Sequence, residues 1–440
     1  MGKSSLKETS VLLLDQFDED GKMLYQSLRK SGFDGPVFTC SDDGFLPRDV
    51  QSIYTVFLGK KQGRPRYFNE IDVPDYWEIK GNNTSGQVYD LNHERARIFY
   101  SQPTHKRFVR VVDWYDDRQV CRISEHYDRY GDLYAKTIFN KKGQLFSRSY
   151  YDTEGKEKIV ENFVTNDIIV NNGNEVVILK NKTELVLYVF NHLGIQPKRL
   201  FFNSLSIPFF VSERLPKDTR EDILFWQENV RDDIPGNMLG ILNGTSNRAS
   251  KIYVQKKDSY EKFMEKGVNP EICQPLGYIY PFKKENQHTN KVLICTNSDH
   301  IEKLTEIVQS CPNMEFHITA LTEMSSKLLA YGEYDNVHLY PSSKDDEILK
   351  LFDLCDYYLD INHGNEIVNA CKEAFLHNCL LLGFKETSHH SKYLLDELVY
   401  EANLYQDLIK VLTDSTRLDI LLRKQRTKAM SQTVEDYRNI

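Results

Sequence analysis

The densest run of polar, chemistry-bearing side chains is Ile361-Asn362-His363-Gly364-Asn365-Glu366, with Glu373 seven residues further on. Amides and an imidazole in such a run bind hydroxyls and peptide groups through both donors and acceptors, and the carboxylates add acid–base capacity. A second polar run, Asn243-Gly244-Thr245-Ser246-Asn247, offers the same hydrogen-bonding chemistry without the acids. A third, Thr296-Asn297-Ser298-Asp299-His300, contains an acid and no fixed cation. A metal-free diphosphate site needs side-chain cations beside a helix start, so this third loop is poorly suited to one. Other chemistries lack their residues. There is no P-loop, GxGxxG, GxSxG, HExxH or CxxC pattern. The eight cysteines are scattered, which predicts buried small hydrophobes in a reducing compartment rather than disulfides or a metal site. His389-His390 is expected to lie in a solvated loop, not to form a ligand pair. The reading therefore calls for no metal and no cofactor.

The elements that must position these residues follow from the apolar pattern. Strand-like runs at 292–295, 315–318, 337–340, 357–360 and 380–382 begin 20 to 23 residues apart, with helical periodicity between them. Strand and helix alternating at this interval form a parallel sheet covered on both faces. The 361–366 run then lies beyond the carboxyl end of a strand, where open α/β sheets bind ligands. The chain begins in the same style, with strand 11–14, helix 22–30 and strand 36–39. It resumes late, with helix 182–193, strand 199–202, helix 219–230, strand 251–254 and helix 259–266. The expected organisation is a split N-terminal Rossmann-like domain (1–76 and 181–275), a linker (276–290) and a C-terminal Rossmann-like domain (291–395). Terminal helices (396–440) are expected to cross back to the first domain.

Residues 77–180 read differently. Tyr115-Asp116, Tyr127-Asp128, Phe139-Asn140 and Tyr151-Asp152 recur every 12 residues, and Gly131, Gly143 and Gly155 each follow the last three aromatics by four. Asp or Asn opens a tight turn by bonding its own backbone, and Gly supplies the positive φ that closes a bulged hairpin. The repeat predicts an inserted antiparallel meander. Its aromatic-rich surface makes Trp114, Tyr115, Tyr127, Phe139 and Tyr151 candidates for a partner interface.

The C-terminal domain resembles the donor domain of retaining GT-B glycosyltransferases in its strand, Gly-containing turn and helix carrying Glu373-Ala374. In that family a Glu-x7-Glu pair contacts the donor sugar and the nucleotide ribose. Glu373 matches the second position, but Asn365 stands at the first and Glu366 is displaced by one residue. The family's Arg and Lys after the first strand are replaced by Thr296 and Asn297. With the inserted meander, typified by Val111-Val112-Asp113-Trp114-Tyr115-Asp116, the whole chain resembles the accessory subunit of the bacterial two-protein O-GlcNAc transferase. That family glycosylates serine-rich repeat adhesins before their export by an accessory Sec system.

The resemblance implies an α/β, GT-B-like fold: two Rossmann-like domains facing a cleft, with an antiparallel sheet inserted in the first. It also implies a non-catalytic subunit that stabilises a catalytic glycosyltransferase in a two-plus-two heterotetramer and binds the adhesin polypeptide. Candidate acceptor-binding residues are Asn362, His363, Asn365, Glu366, Asn243, Thr245 and Asn247. The degenerate donor positions are Asn365, Glu373, Thr296 and Asn297. The alternative is an active retaining enzyme in which Glu366 takes the donor role. With 64 acidic against 56 basic residues, nucleic acid is not an expected partner. No signal-like or membrane-spanning run is present, so a cytoplasmic protein is expected. The stretch His105-Lys106-Arg107-Phe108-Val109-Arg110 leaves room for peripheral contact with the inner membrane face.

Overall fold

The computed structural model describes residues 7–59, 61–217, 221–229, 233–389 and 392–440. The chain divides into two compact units, Met1–Pro275 and Leu276–Ile440.

The first unit holds a seven-stranded parallel sheet. In spatial order its strands are Cys273–Pro275, Ala249–Val254, Asp222–Trp226, Ile195–Phe202, Lys7–Leu14, Val37–Thr39 and Val50–Ser52. Val11 to Leu14 are fully buried, as expected of a central strand covered on both faces. One sequence expectation fails here. The segment 219–230 contains a strand, Asp222–Trp226, and not a helix; Thr219, Arg220 and Val230 lie outside the described residues. The run Ile223-Leu224-Phe225-Trp226 is apolar on every side, which suits a strand between two others and not a one-sided helix. Asp222 is buried as the partner of Arg248, 2.9 Å away, and also accepts from the Leu200 N–H and the Ser212 hydroxyl.

The insertion is a ten-stranded antiparallel meander running from Glu78–Gly81 to Val176–Leu179, each strand paired with its sequence neighbours. The 12-residue repeat is its hairpin unit: Val109–Tyr115, Cys121–Tyr127, Leu133–Phe139 and Leu145–Tyr151 all end on the repeated aromatic. After each, the Asx Oδ1 accepts two backbone N–H groups: Arg118 and Val120 at Asp116, Tyr130 and Asp132 at Asp128, Lys142 and Gln144 at Asn140, Glu154 and Lys156 at Asp152. Gly131, Gly143 and Gly155 take φ of +89°, +73° and +75°; the first hairpin puts Gln119 there instead, at φ +60°.

The two faces of this sheet differ. On one, Tyr134, Tyr150, Ile159 and Val170 join the core of the parallel sheet with Phe38, Tyr54 and Phe190. The Tyr54 and Tyr150 rings stack at 4.2 Å and 9°, and both hydroxyls donate to buried Glu161 at 3.0 Å, which Lys182 approaches to 3.2 Å. The early strands build a separate small core from Val88, Ile98, Val112 and Tyr127 with Ile71. On the opposite face of the later strands, paired Ile123 and Ile138 are 37% and 44% exposed, and paired Ile169 and Ile178 are 39% and 67% exposed. The register Lys136–Ser149–Val160–Ile169–Ile178 places all four isoleucines on one face.

The second unit holds a six-stranded parallel sheet in the order Val337–Tyr340, Glu315–Ala320, Lys291–Thr296, Tyr357–Asp360, Leu380–Phe384, Val399–Tyr400. Residues 276–290, read as a linker, belong to this unit: Tyr278 and Tyr280 are buried, and Lys283 N–H donates to Leu376 O. The same aromatic content that distinguishes this stretch from a flexible tether explains its packing. The helices Tyr405–Thr413 and Leu418–Lys428 contribute Leu408, Leu412, Leu418 and Leu421 to this unit's core.

Candidate functional site

In the second unit the strand order reverses between Lys291–Thr296 and Tyr357–Asp360, so the loops leaving these two strands diverge at a topological switch point. Thr296, Asn297, Asn362, His363, Asn365 and Glu366 all lie on these loops, at the carboxyl edge where the sequence placed them. What the structure adds is that Thr296, Asn297 and Asn362 satisfy one another, while His363 and Glu366 bond elsewhere in the chain.

Asn362 is 3% exposed. Its Oδ1 lies 2.6 Å from Thr296 Oγ1, and its amide donates to Asn297 Oδ1 at 3.4 Å. The loops are stitched further by Glu302 N–H to Ile361 O and His363 N–H to His300 O. A Cβ on Gly364 would fall 1.7 Å from Asn297 Oδ1, so a side chain there would have to push the Asn297 amide aside. His363 reaches Glu302 Oε2 at 2.6 Å, and its ring stacks on His300 at 3.8 Å. Buried Asn362 is thus a strut between the loops and not an acceptor-facing group, a correction to its sequence assignment; His363 and Asn365 stay exposed.

The carboxylates are also engaged. Glu366 Oε1 accepts from the Cys371 N–H at 2.7 Å, at the start of the helix Ala370–Leu376. Glu373, at the position that binds ribose in the resembled enzymes, pairs with Lys283 at 2.6 Å. Lys303 pairs with Glu306 at 3.2 Å.

His389 corrects another expectation: it is a clamp, not a solvated loop residue, and His390 lies outside the described residues. Asp360, 1% exposed at the strand end, accepts the His389 N–H at 2.7 Å and Nδ1–H at 2.6 Å, while Nε2–H donates to Gly364 O at 2.8 Å. Acceptors on both ring nitrogens favour imidazolium, and the Asp360 hydrogen bond holds the pKa up at about 9. A cation therefore does stand at this edge, neutralised by the chain's own aspartate.

The first unit's carboxyl edge is closed in a related way. Asn203, Gln227 and Gln255 are buried, each directly after a strand. Asn203 donates to Gln227 Oε1, and Gln227 to Gln255 Oε1, both at 2.8 Å. This amide ladder was missed in the sequence. Its signal is a carboxamide as the first residue after each of three successive strands.

Asn243, Thr245 and Asn247 do not join this edge. They precede the strand Ala249–Val254 and so lie at the amino end of the parallel sheet. The Asn247 amide donates to Glu213 O and Leu215 O, and its backbone N–H to Glu213 Oε1, tying the loop to a helix end. The sequence reading grouped them with the other candidates because their types match; the strand direction separates them.

On the meander, Tyr127 is 3% exposed and fills the small core, so it is not available to a partner. Trp114 packs against the same core and donates to Glu125 Oε2 at 3.1 Å. Tyr115, Phe139 and Tyr151 are half-buried. The exposed apolar residues of the meander include the four isoleucines, together with Leu91, Leu145, Phe146, Val164 and Val176. The cysteines are buried except Cys121, and burial pushes the Cys40 and Cys295 thiols far up, leaving them unreactive. No helix among the described residues is long and apolar enough to cross a membrane.

Comparison with known proteins gives consistent matches along the chain. Models of the GtfB N-terminal domain, GtfB middle domain, GtfB third domain and GftB/GlyA-F C-terminal domain match residues 11–57, 77–180, 182–265 and 292–428. A stabilizing protein GtfB of the UDP-N-acetylglucosamine–peptide N-acetylglucosaminyltransferase, from Streptococcus agalactiae, is 41% identical over 98% of both chains. A chain in the crystal structure of a GtfA/B complex bound to UDP and GlcNAc superposes with a TM-score of 0.91 at 37% identity, covering 98% of both. The pneumococcal O-GlcNAc transferase GtfA shares the fold alone, with a TM-score of 0.53 at 12% identity, covering 98% of this chain and 97% of that one.

Proposed function

This chain belongs to the GtfB family of peptide N-acetylglucosaminyltransferase stabilizing proteins, has their GT-B-like fold, and from that premise we propose that it is the non-catalytic subunit of a two-protein O-GlcNAc transferase. The observation that carries the reading is the 0.91 TM-score, over nearly the whole chain, to a protein seen in a GtfA/B complex. The switch point of the second unit supports it. Lys283 is held by Glu373, Lys303 by Glu306 and His389 by Asp360, so each of these cations is already paired with one of the chain's own acids and not reserved for a sugar diphosphate.

The partner is a catalytic glycosyltransferase that holds UDP-GlcNAc. The meander contacts it through the isoleucine face, since exposed apolar area of this kind on a soluble sheet is stabilised by being covered. Two copies of each subunit assemble. The acceptor is a serine-rich repeat adhesin polypeptide, met at the second unit's carboxyl edge by exposed His363 and Asn365. The complex acts in the cytoplasm ahead of an accessory Sec system, with peripheral contact to the membrane.

Calorimetric titration of the isolated chain with UDP-GlcNAc, beside co-purification with the catalytic partner, tests this. The expected result is no saturable donor binding and a stable complex. Micromolar donor binding would restore the active-enzyme alternative through Glu366, and a chain that never co-purifies would remove the stabilising role.

A further inference from the structure

A second cluster of ligand-type side chains lies on the second unit's sheet, away from the switch-point loops. Glu315 and His317 are two apart on the strand Glu315–Ala320, so they share a face. His338 is the direct cross-strand partner of His317 on the sheet's edge strand Val337–Tyr340. One ligating atom from each of the three lies within 4.8 Å of the others. His317 Nε2 is 3.8 Å from Glu315 Oε2, and the His317 and His338 rings stack with centroids 4.9 Å apart.

The decisive group is His317. The residue is only 4% exposed, and its Nε2 has no hydrogen-bond partner among the described residues. An orphaned buried ring nitrogen is costly unless something else satisfies it. Its other nitrogen, Nδ1, sits 2.9 Å from Tyr340 Oη. A histidine that donates Nδ1–H to an outer partner presents the Nε2 lone pair outward, the arrangement that metal-binding histidines adopt.

We propose that Glu315, His317 and His338 form a binding site for a divalent first-row cation of the zinc class. Two imidazoles and one carboxylate make the donor set such borderline cations favour, and three protein ligands leave one coordination position for water. Bonds of about 2.0–2.1 Å set tetrahedral donors about 3.4 Å apart, so the three groups must close slightly. Glu315 is half-buried and His338 exposed, so both can turn; His317 is the fixed one. Lys291 Nζ, 3.9 Å from Glu315, is the competing cation and is displaced toward solvent on binding. The cluster His300–Glu302–His363 is also close enough to share an ion, but there Glu302 is already hydrogen-bonded to His363 and no buried orphan nitrogen points into it.

Titration of the full chain with zinc chloride tests the site, with cobalt(II) d–d absorption as a second readout. One zinc per chain at micromolar affinity and a tetrahedral cobalt spectrum are expected. His338→Ala, on an exposed edge-strand position, removes one ligand and leaves the core intact. It is expected to weaken zinc at least about tenfold, the loss produced by removing even an outer-shell partner. Tyr340→Phe weakens it less, and His363→Ala leaves it unchanged. Binding that survives His338→Ala intact, binding lost only in His363→Ala, or no saturable binding up to millimolar zinc each overturns the proposal.

Discussion

On the inserted sheet, Ile123, Ile138, Ile169 and Ile178 stand open to solvent, whereas at the second unit's switch point Asn362, Glu366, Glu373 and His389 are each engaged by their own chain. A site that turns over a ligand keeps donors, acceptors and charges in reserve for it. A surface that waits for a protein keeps apolar area uncovered instead. By that measure the polar groups at the sheet edge where α/β proteins hold small ligands are largely taken up by the chain itself, while the sheet face keeps apolar area open.

The strongest way to sharpen the contrast is within the meander itself, whose two faces have different tasks. Glu161→Ala on the buried face strands the Tyr54 and Tyr150 hydroxyls and Lys182. Breaking a buried, hydrogen-bonded charged group of this kind costs about 3 kcal/mol, readable by denaturant unfolding. A loss under about 1 kcal/mol would show that the sheet is not held to its unit there. On the open face, Ile123→Lys combined with Ile138→Glu sets opposite charges across the strand pair and changes stability by about 1 kcal/mol or less. It weakens the complex with the catalytic partner by about 100-fold in a binding titration, as loss of a central apolar anchor does. Unchanged affinity would move the interface elsewhere and break the comparison.

The smallest effect concerns the closed edge. His389 has its pKa raised from 6.5 to about 9, chiefly by its hydrogen bond to Asp360. Its contribution to stability is therefore full below pH 6.5 and is lost as pH rises through about 9. Thermal melts of the chain and of His389→Gln should differ at neutral pH by the equivalent of about 1 kcal/mol or less. The difference should vanish at high pH; a gap that widens instead would mean the histidine is not held as imidazolium.

Much of this was legible in the chain. The 12-residue repeat announced both the meander and its turns, because Asx and Gly act through their own backbone and need no tertiary context. The parallel strands of the second unit were plain from continuous apolar runs. What failed depended on neighbours. The strand Asp222–Trp226 read as a helix because a short apolar run is ambiguous until its flanking strands are known. Tyr127 looked like an interface residue because pattern alone does not say which of the repeated aromatics meets a core; its packing with Val88, Ile98 and Val112 decides it. Asn243 to Asn247 had the right chemistry at the wrong end of a strand. The His389–Asp360 clamp joins residues 29 apart, and only the fold brings them together.

The hairpin unit has one more consequence. Each meander strand pairs only with its sequence neighbours, so the sheet is a linear array in which a unit can be gained or lost without disturbing distant pairs. Direction alternates from strand to strand, and ten strands bring the chain in and out at the same end of the sheet. Removing one repeat would deliver the following segment, Lys182–His192, to the opposite end, whereas removing two would return it to where it began. The insertion can thus change length over evolutionary time only in even numbers of repeats. Relatives carrying longer or shorter meanders should differ by multiples of twice the 12-residue period that the sequence displays.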